Sequence, residues 1–306
     1  MSPVDSILLP LDGSPESARA VGCAVWLADQ LGATLHVLHS APRPIPSGEA
    51  LERLGAAAAR RARTVLHQTP KEPVSAGLAE ARRHAVKLVV MTARGGSASA
   101  GLAPGQRLGR VAAAFIEDSA VPTLLLPRHY RESLPWRSML VAASGEAAAD
   151  QALGHAVGLA ASLGLTVNAV YVEEALAAGG ALGSYVDAPQ HEHPRRLEAI
   201  VRRALAAASA EECRCVGELR VRRGDPVTEL LAEVKRSRSS TLALGWHGTF
   251  GATRAPVLKR LLDRAECPLL VVHEVAGPGL TLHVGGALEG QGTAETPGEL
   301  RPRDAS

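Results

Sequence analysis

The chain has 306 residues, enough for two domains at roughly 150 residues each. Its 46% hydrophobic and 21% charged content is that of a globular chain, and 33 basic against 31 acidic side chains leave a net charge of only +2. That balance excludes the strong phosphate attraction of a dedicated nucleic-acid binder, and 3% aromatic residues exclude base-stacking platforms.

The first predicted element is the apolar run Ile7-Leu-Leu-Pro-Leu11, a short strand. Asp12-Gly-Ser-Pro-Glu16 follows, with Ser14 as a helix cap, Pro15 at the first helical position and Glu16 complementing the dipole. Ala18, Val21, Gly22, Val25, Ala28 and Leu31 recur at helical spacing until Gly32 stops the run. Thr34–His39 is a second strand, so the segment is a β-α-β unit with parallel strands. Between Arg60 and Ala85 the pattern is compressed, and a stub near Pro73-Val-Ser75 is the expected third strand. Strand Leu88–Met91, a Gly-rich loop, helix Val111–Ile116 and strand Val121–Leu126 complete the half, and His129–Trp136 reads as a linker.

The plan then restarts. Strand Met139–Ala143, turn Ser144–Glu146, a helix marked by Ala152, Leu153, Ala156, Val157, Ala160 and Leu163, its stop at Gly164 and strand Thr166–Val172 repeat the opening order. Gln151–Val172 has no Asp, Glu, Lys or Arg and is long enough to span a bilayer, but His155, Ser162, Thr166 and Asn168 interrupt it and its period changes at Gly164, so no membrane span is expected. Arg195–Ala210 is compatible with a helix, and Glu218–Arg223 with a partly polar strand. Asp225-Pro226 caps a helix through Val234. Strand Thr241–Leu244, helix Val257–Leu262 and strand Cys267–Val272 end the half as the first one ended. The expected boundaries are 1–130, 131–275 and a flexible tail at 276–306.

With both halves laid out, the chain resembles the tandem universal stress proteins. The residues that carry the likeness are Ile7–Glu16 with the following helix, Leu35–His39, Gly224-Asp-Pro226, Gly245-Trp-His-Gly248 and Val257–Val272. The resemblance implies an α/β fold of the adenine nucleotide alpha hydrolase-like type: two open five-stranded parallel sheets, each in the order 3-2-1-4-5, with helices on both faces. It also implies pairing through the last strands, 123–126 against 269–272, giving an internal pseudo-dimer, with a homodimer as a further arrangement. Many members of that family bind ATP through an Asp after the first strand and a G-x2-G-x9-G-[ST] loop, where glycines and helix-start amides cradle phosphates.

Carried onto this sequence, the resemblance nominates Asp12, Gly13, Ser40, Gly95, Gly109 and Arg110 as the site for ATP or AMP in the first half. Thr92 replaces the first loop glycine, Arg110 replaces the hydroxyl residue, and the loop is longer than the pattern. In the second half Ser144 stands where the Asp belongs and Ala255-Pro256 replaces the Gly-hydroxyl pair, so that half is expected to be a structural partner without a nucleotide. The implied function is a cytoplasmic, non-catalytic stress-response binding or adaptor protein. The rivals are an interaction module with vestigial sites and a nucleotide hydrolase of the same fold.

No catalytic residue and no metal site is expected. His191-x-His193 and Cys213-x-Cys215 are too far apart if the stretch between them is helical. Gly95-Gly-Ser-Ala-Ser99 lacks the last glycine of a nucleophile elbow, and no Walker A motif occurs. Cys23 and Cys267 read as buried small hydrophobes, Arg60-Arg61, Arg202-Arg203 and Arg222-Arg223 as solvated pairs, and Trp246 and His247 as loop residues at the carboxyl end of the sheet.

Overall fold

A computed structural model of the chain describes residues 4–96, 108–173, 198–199, 201–203, 205–206, 208–246 and 255–274. The first half contributes strands β1 (Ser6–Pro10), β2 (Thr34–Ser40), β3 (Thr64–Thr69), β4 (Leu88–Thr92) and β5 (Thr123–Leu126). Its helices are α1 (Pro15–Ala18), α2 (Ala20–Leu31), α3 (Ser47–Arg53), α4 (Pro73–Arg83) and α5 (Arg110–Asp118), with a 3-10 turn at Ala57–Arg61. The second half contributes β6 (Ser138–Ala143), α6 (Ala147–Leu163), β7 (Thr166–Glu173), α7 (Ala210–Arg214), β8 (Val216–Arg223), α8 (Pro226–Ser237), β9 (Thr241–Trp246), α9 (Pro256–Arg264) and β10 (Leu269–His273). The predicted tail falls in the separate unit Ala276–Ser306, outside the described residues.

The strands form one sheet in the order β3-β2-β1-β4-β5-β10-β9-β6-β7-β8. Each half is parallel and runs 3-2-1-4-5 in its own strand numbering. The halves join antiparallel where Leu269, Leu270 and Val271 of β10 face Leu125, Leu124 and Thr123 of β5. That reversal turns the carboxyl ends of the two half-sheets in opposite directions, so each half opens its crevice on its own edge of the molecule.

The core follows from composition. Ala20, Ala24, Leu27 and Ala28 of α2 and Ala152, Ala156, Val157 and Ala160 of α6 lie on one face with Ile7, Leu9, Val37, Val141 and Leu270. Phe115 and Ile116 of α5, Leu230 of α8 and Leu261 and Leu262 of α9 cover the other face with Leu8, Val89, Leu125 and Leu269. Both faces are buried, which is why the central strands read as unbroken apolar runs. Cys23 and Cys267 are buried among them, as their sequence context predicts.

The middle of the first half corrects the sequence reading. The third strand is Thr64–Thr69, and Pro73–Ser75 is the first turn of α4. Glu72 caps that helix by accepting the Ser75 N–H at 3.0 Å, with Pro73 at its first position. Asp225 and Pro226 do the same for α8, where Thr228 N–H donates to Asp225 at 3.0 Å. An acidic cap followed by proline is thus the matching device in both halves.

The linker is also more than a spacer. Tyr130 and Trp136 are buried, Trp136 packs on Trp26 with ring centroids 5.2 Å apart, and Arg19 donates to the carbonyls of Arg128 and Tyr130 at 2.9 and 2.7 Å. Within Arg195–Ala210, residues 198–199 and 201–203 are helical, but Ser209 caps a new helix, so the stretch is not continuous to Ala210.

Among the described residues, no helix is long and apolar enough to cross a membrane; Gln151–Val172 resolves into the end of α6, the left-handed stop at Gly164 and β7. Arg222 is not a solvated bystander: with Arg220 and Arg236 it donates to Glu233, a carboxylate only 1% exposed, at 2.6–2.8 Å. Burial pushes the Glu233 carboxyl up, and the surrounding arginines, Arg222 foremost, pull it back below its ordinary value.

Candidate functional site

At the carboxyl end of the first half, the turn after β1 meets the loop after β4. Asp12 folds back on its own turn, its Oδ1 accepting from Ser14 N–H at 2.9 Å and from Ser14 Oγ at 2.6 Å. Its Oδ2 accepts the Gly96 N–H at 2.9 Å, and Ser14 Oγ lies 3.0 Å from the same nitrogen. Partial burial pushes this carboxyl up, but the donors from Ser14, Ser17 and Gly96 outweigh it and hold the group below the usual carboxylate value.

Glycine is required where the loops touch. A Cβ on Gly95 would run into the Asp12 carboxylate, and one on Gly96 into the Ser14 side chain. Gly109 is the cap residue of α5; its N–H donates to the Ala93 carbonyl at 2.8 Å, and a Cβ there would lie 3.8 Å from Gly95 N. Among the described residues no side-chain hydrogen bond caps the start of α5. Gly13 adopts φ +83° in the turn beside Asp12, a conformation that favours glycine.

The structure therefore brings Asp12, Gly13, Gly95 and Gly109 to one place. Ser40 ends β2 at the same edge of the sheet, in register with Thr69. Arg110 reaches elsewhere: its Nη2 pairs with Glu72 Oε1 at 2.8 Å, which ties the start of α5 to the start of α4. Ser97, Ala98 and Ser99 lie outside the described residues.

The second half has a different crevice. Ala142, Ser144, Glu146, Tyr171, Trp246 and Pro256 are among the residues lining an open cavity of about 800 Å³ at its carboxyl end. Ser144 stands where Asp12 stands in the first half and supplies only a hydroxyl, 3.3 Å from the Glu146 N–H. Pro256 at the first position of α9 has no N–H, and Ala255 before it takes φ +61°. Gly245 is explained by packing, since a Cβ there would strike the backbone of Ala148 and Ala149 in the first turn of α6. Trp246 is the buried last residue of β9 and not a loop residue; His247 lies outside the described residues.

One constellation escapes a sequence reading altogether. His36 on β2, His67 on β3 and His84 at the end of α4 gather beside Glu80, with ligand atoms of the three imidazoles all within 4.8 Å of one another. The three are 31 and 17 residues apart in sequence, a separation that no metal-ligand spacing rule covers. Burial, then the neighbouring His84 and His67, pushes His36 down to about 4, so that it is neutral at physiological pH. Of the pairs for which a zinc site was not expected, His191 and His193 lie outside the described residues, and Cys213 and Cys215 are not joined by a disulfide.

Comparison with known proteins places these features. A model of the universal stress protein family matches residues 3–56 and 135–273, more than half of the chain, and both halves of the sheet contribute. Among solved structures, a universal stress protein from Archaeoglobus fulgidus DSM 4304 superposes with TM-score 0.59 at 17% identity, covering 88% of this chain and 98% of that one. A functionally unknown protein from Pseudomonas aeruginosa PAO1 superposes with TM-score 0.56 at 15% identity, covering 88% and 92%. At such identities the likeness is one of fold. No curated protein sequence matches. On the family match, and with its two halves built to one plan, the chain belongs to the universal stress protein family.

Proposed function

We propose that this chain is a cytoplasmic, non-catalytic binding module of the stress response that takes one adenine nucleotide, ATP or AMP, at the carboxyl end of its first half. The observation that supports it is the convergence of Asp12, Gly95, Gly96 and Gly109, up to 97 residues apart in sequence, beside the start of α5. In this reading Asp12 accepts from the adenine amino group, while the Gly96 N–H and the first amides of α5 receive phosphate oxygens. Arg110 would join them by exchanging Glu72 for phosphate, a better bidentate partner. The second half offers neither the carboxylate nor the full set of helix-start amides, and acts as a structural partner.

A second reading has its own observation. Both Asp12 oxygens are already taken by protein donors, which suits a closed, vestigial site whose loops serve a protein partner. Thermal unfolding of the full chain with ATP·Mg²⁺ separates the two. A bound ligand at a hundred times its Kd stabilises by about 2.7 kcal/mol, so the proposed site gives a shift that Asp12→Ala removes. No shift at millimolar ATP establishes the vestigial site instead.

A further inference from the structure

We infer that His36, His67 and His84 form a binding site for a single divalent transition-metal ion of the zinc type, separate from the nucleotide crevice, with Glu80 as the neighbouring carboxylate. The four side chains come from three elements. His36 stands on β2, His67 on the edge strand β3, and Glu80 and His84 on the last turn and end of α4. Ser6 Oγ donates to the His84 carbonyl at 3.2 Å, which sets the cluster at the amino end of the strands. Asp12 and Gly95 lie at the opposite end of the same half.

The three imidazoles each turn one ring nitrogen to within 4.8 Å of the other two. Glu80 Oε2 lies 3.0 Å from His84 Nε2 and 3.7 Å from His67 Nδ1. Because Glu80 faces His67 Nδ1 while His67 Nε2 faces His36, it is placed as an outer partner that orients the rings and not as a fourth ligand. His36 Nδ1 lies 2.9 Å from His67 Nε2, and its ring is 4.4 Å from that of His84. Three imidazoles make an N3 donor set that leaves a fourth position for water, which suits zinc better than a hard cation such as calcium or magnesium.

A purely structural cluster accounts for less. The His36–His67 contact satisfies one nitrogen of each ring, but Glu80 Oε2 and His84 Nε2 are buried and make no hydrogen bond among the described residues. Those two atoms stand 3.0 Å apart, and the ion pair between them holds only while His84 is protonated. The cluster is also within reach of solvent. The His67 and His84 side chains retain 16% and 25% exposure, beside the outermost strand of the sheet. His67, Glu80 and His84 all fall between the two segments that the family model matches.

The test uses the full chain, stripped with EDTA and dialysed against Zn²⁺, with Co²⁺ as a spectroscopic substitute. The site predicts one zinc per chain, a raised unfolding temperature that EDTA reverses, and the visible absorption of four-coordinate cobalt. His67→Asn combined with His84→Asn lowers zinc affinity about a hundredfold or more and abolishes the cobalt spectrum. Cys213→Ser with Cys215→Ser leaves both unchanged. If the double histidine variant unfolds below the metal-free parent, the single variant His67→Asn supplies the same readout. Failure to bind zinc, or zinc and cobalt binding that survives in the folded histidine variant, overturns the assignment.

Discussion

Asp225 and Glu233 show how single carboxylates in the second half are committed to structure. Asp225 accepts from both terminal nitrogens of Arg260, at 2.7 and 2.8 Å, while capping α8. The Arg260 guanidinium and then the Thr228 donors hold its carboxyl well below the ordinary value of about 3.9. A carboxylate depressed in the folded state contributes stability that is full above about pH 4 and is lost as pH falls below it. Urea unfolding of Asp225→Asn against the parent is therefore expected to show a difference that shrinks from pH 6 towards pH 2. A difference independent of pH would place the effect in the cap alone. Glu233 is a stronger case, because its removal takes the shared carboxylate from Arg222 and Arg236 and leaves Arg220 only Glu218. Because the arginines left behind are partly exposed, Glu233→Ala is expected to cost about 1.5–3 kcal/mol in chemical unfolding. A loss below about 1 kcal/mol would mean that the arginines simply turn out to water.

At the scale of elements, much of the fold was legible because the signals were local. Gly32 and Gly164 end α2 and α6 in the same left-handed conformation, and each was visible as a glycine closing a helical period. The inner strands announced themselves as apolar runs. β3 did not, because as an edge strand it is half-exposed and mixes Thr64, His67, Gln68 and Thr69 with its apolar residues. Its neighbour Pro73 then looked like strand material, although Glu72-Pro73 reproduces the cap of Asp225-Pro226. That parallel gives a prediction. Glu72→Ala removes the α4 cap and should lower the stability of the chain, and it also releases Arg110 towards the crevice. If Arg110 meets phosphate, the variant binds ATP more tightly in a filter-binding assay while unfolding at lower denaturant. Weaker ATP binding would show that the ion pair itself shapes the site.

The candidate site was legible in parts for the same reason. Asp12, Gly95 and Gly109 follow from a motif, whereas the histidine cluster and the Glu233 network are products of topology. β2 and β3 are neighbours in space only because the chain crosses back between them, and nothing at residues 36, 67 or 84 records that locally.

For the whole molecule, the two halves are one folding unit by construction. The seam puts Leu124 against Leu270, the buried linker packs Trp136 on Trp26, and each face of the sheet has a core that runs through both halves. Cutting at the linker would expose β5 as a long-lived apolar edge. Calorimetric unfolding of the full chain should accordingly give a single transition, with calorimetric and van't Hoff enthalpies in agreement. Two resolved transitions would show that the halves melt separately. The same antiparallel seam sends the two crevices to opposite edges, so occupancy can be asymmetric, and that asymmetry is the centre of the account. Isothermal titration of the full chain with ATP·Mg²⁺ tests it directly. A molecule with one working crevice takes one nucleotide per chain, lost in Asp12→Ala and kept in Ser144→Ala; two nucleotides per chain, none, or one that survives Asp12→Ala would refute the asymmetry.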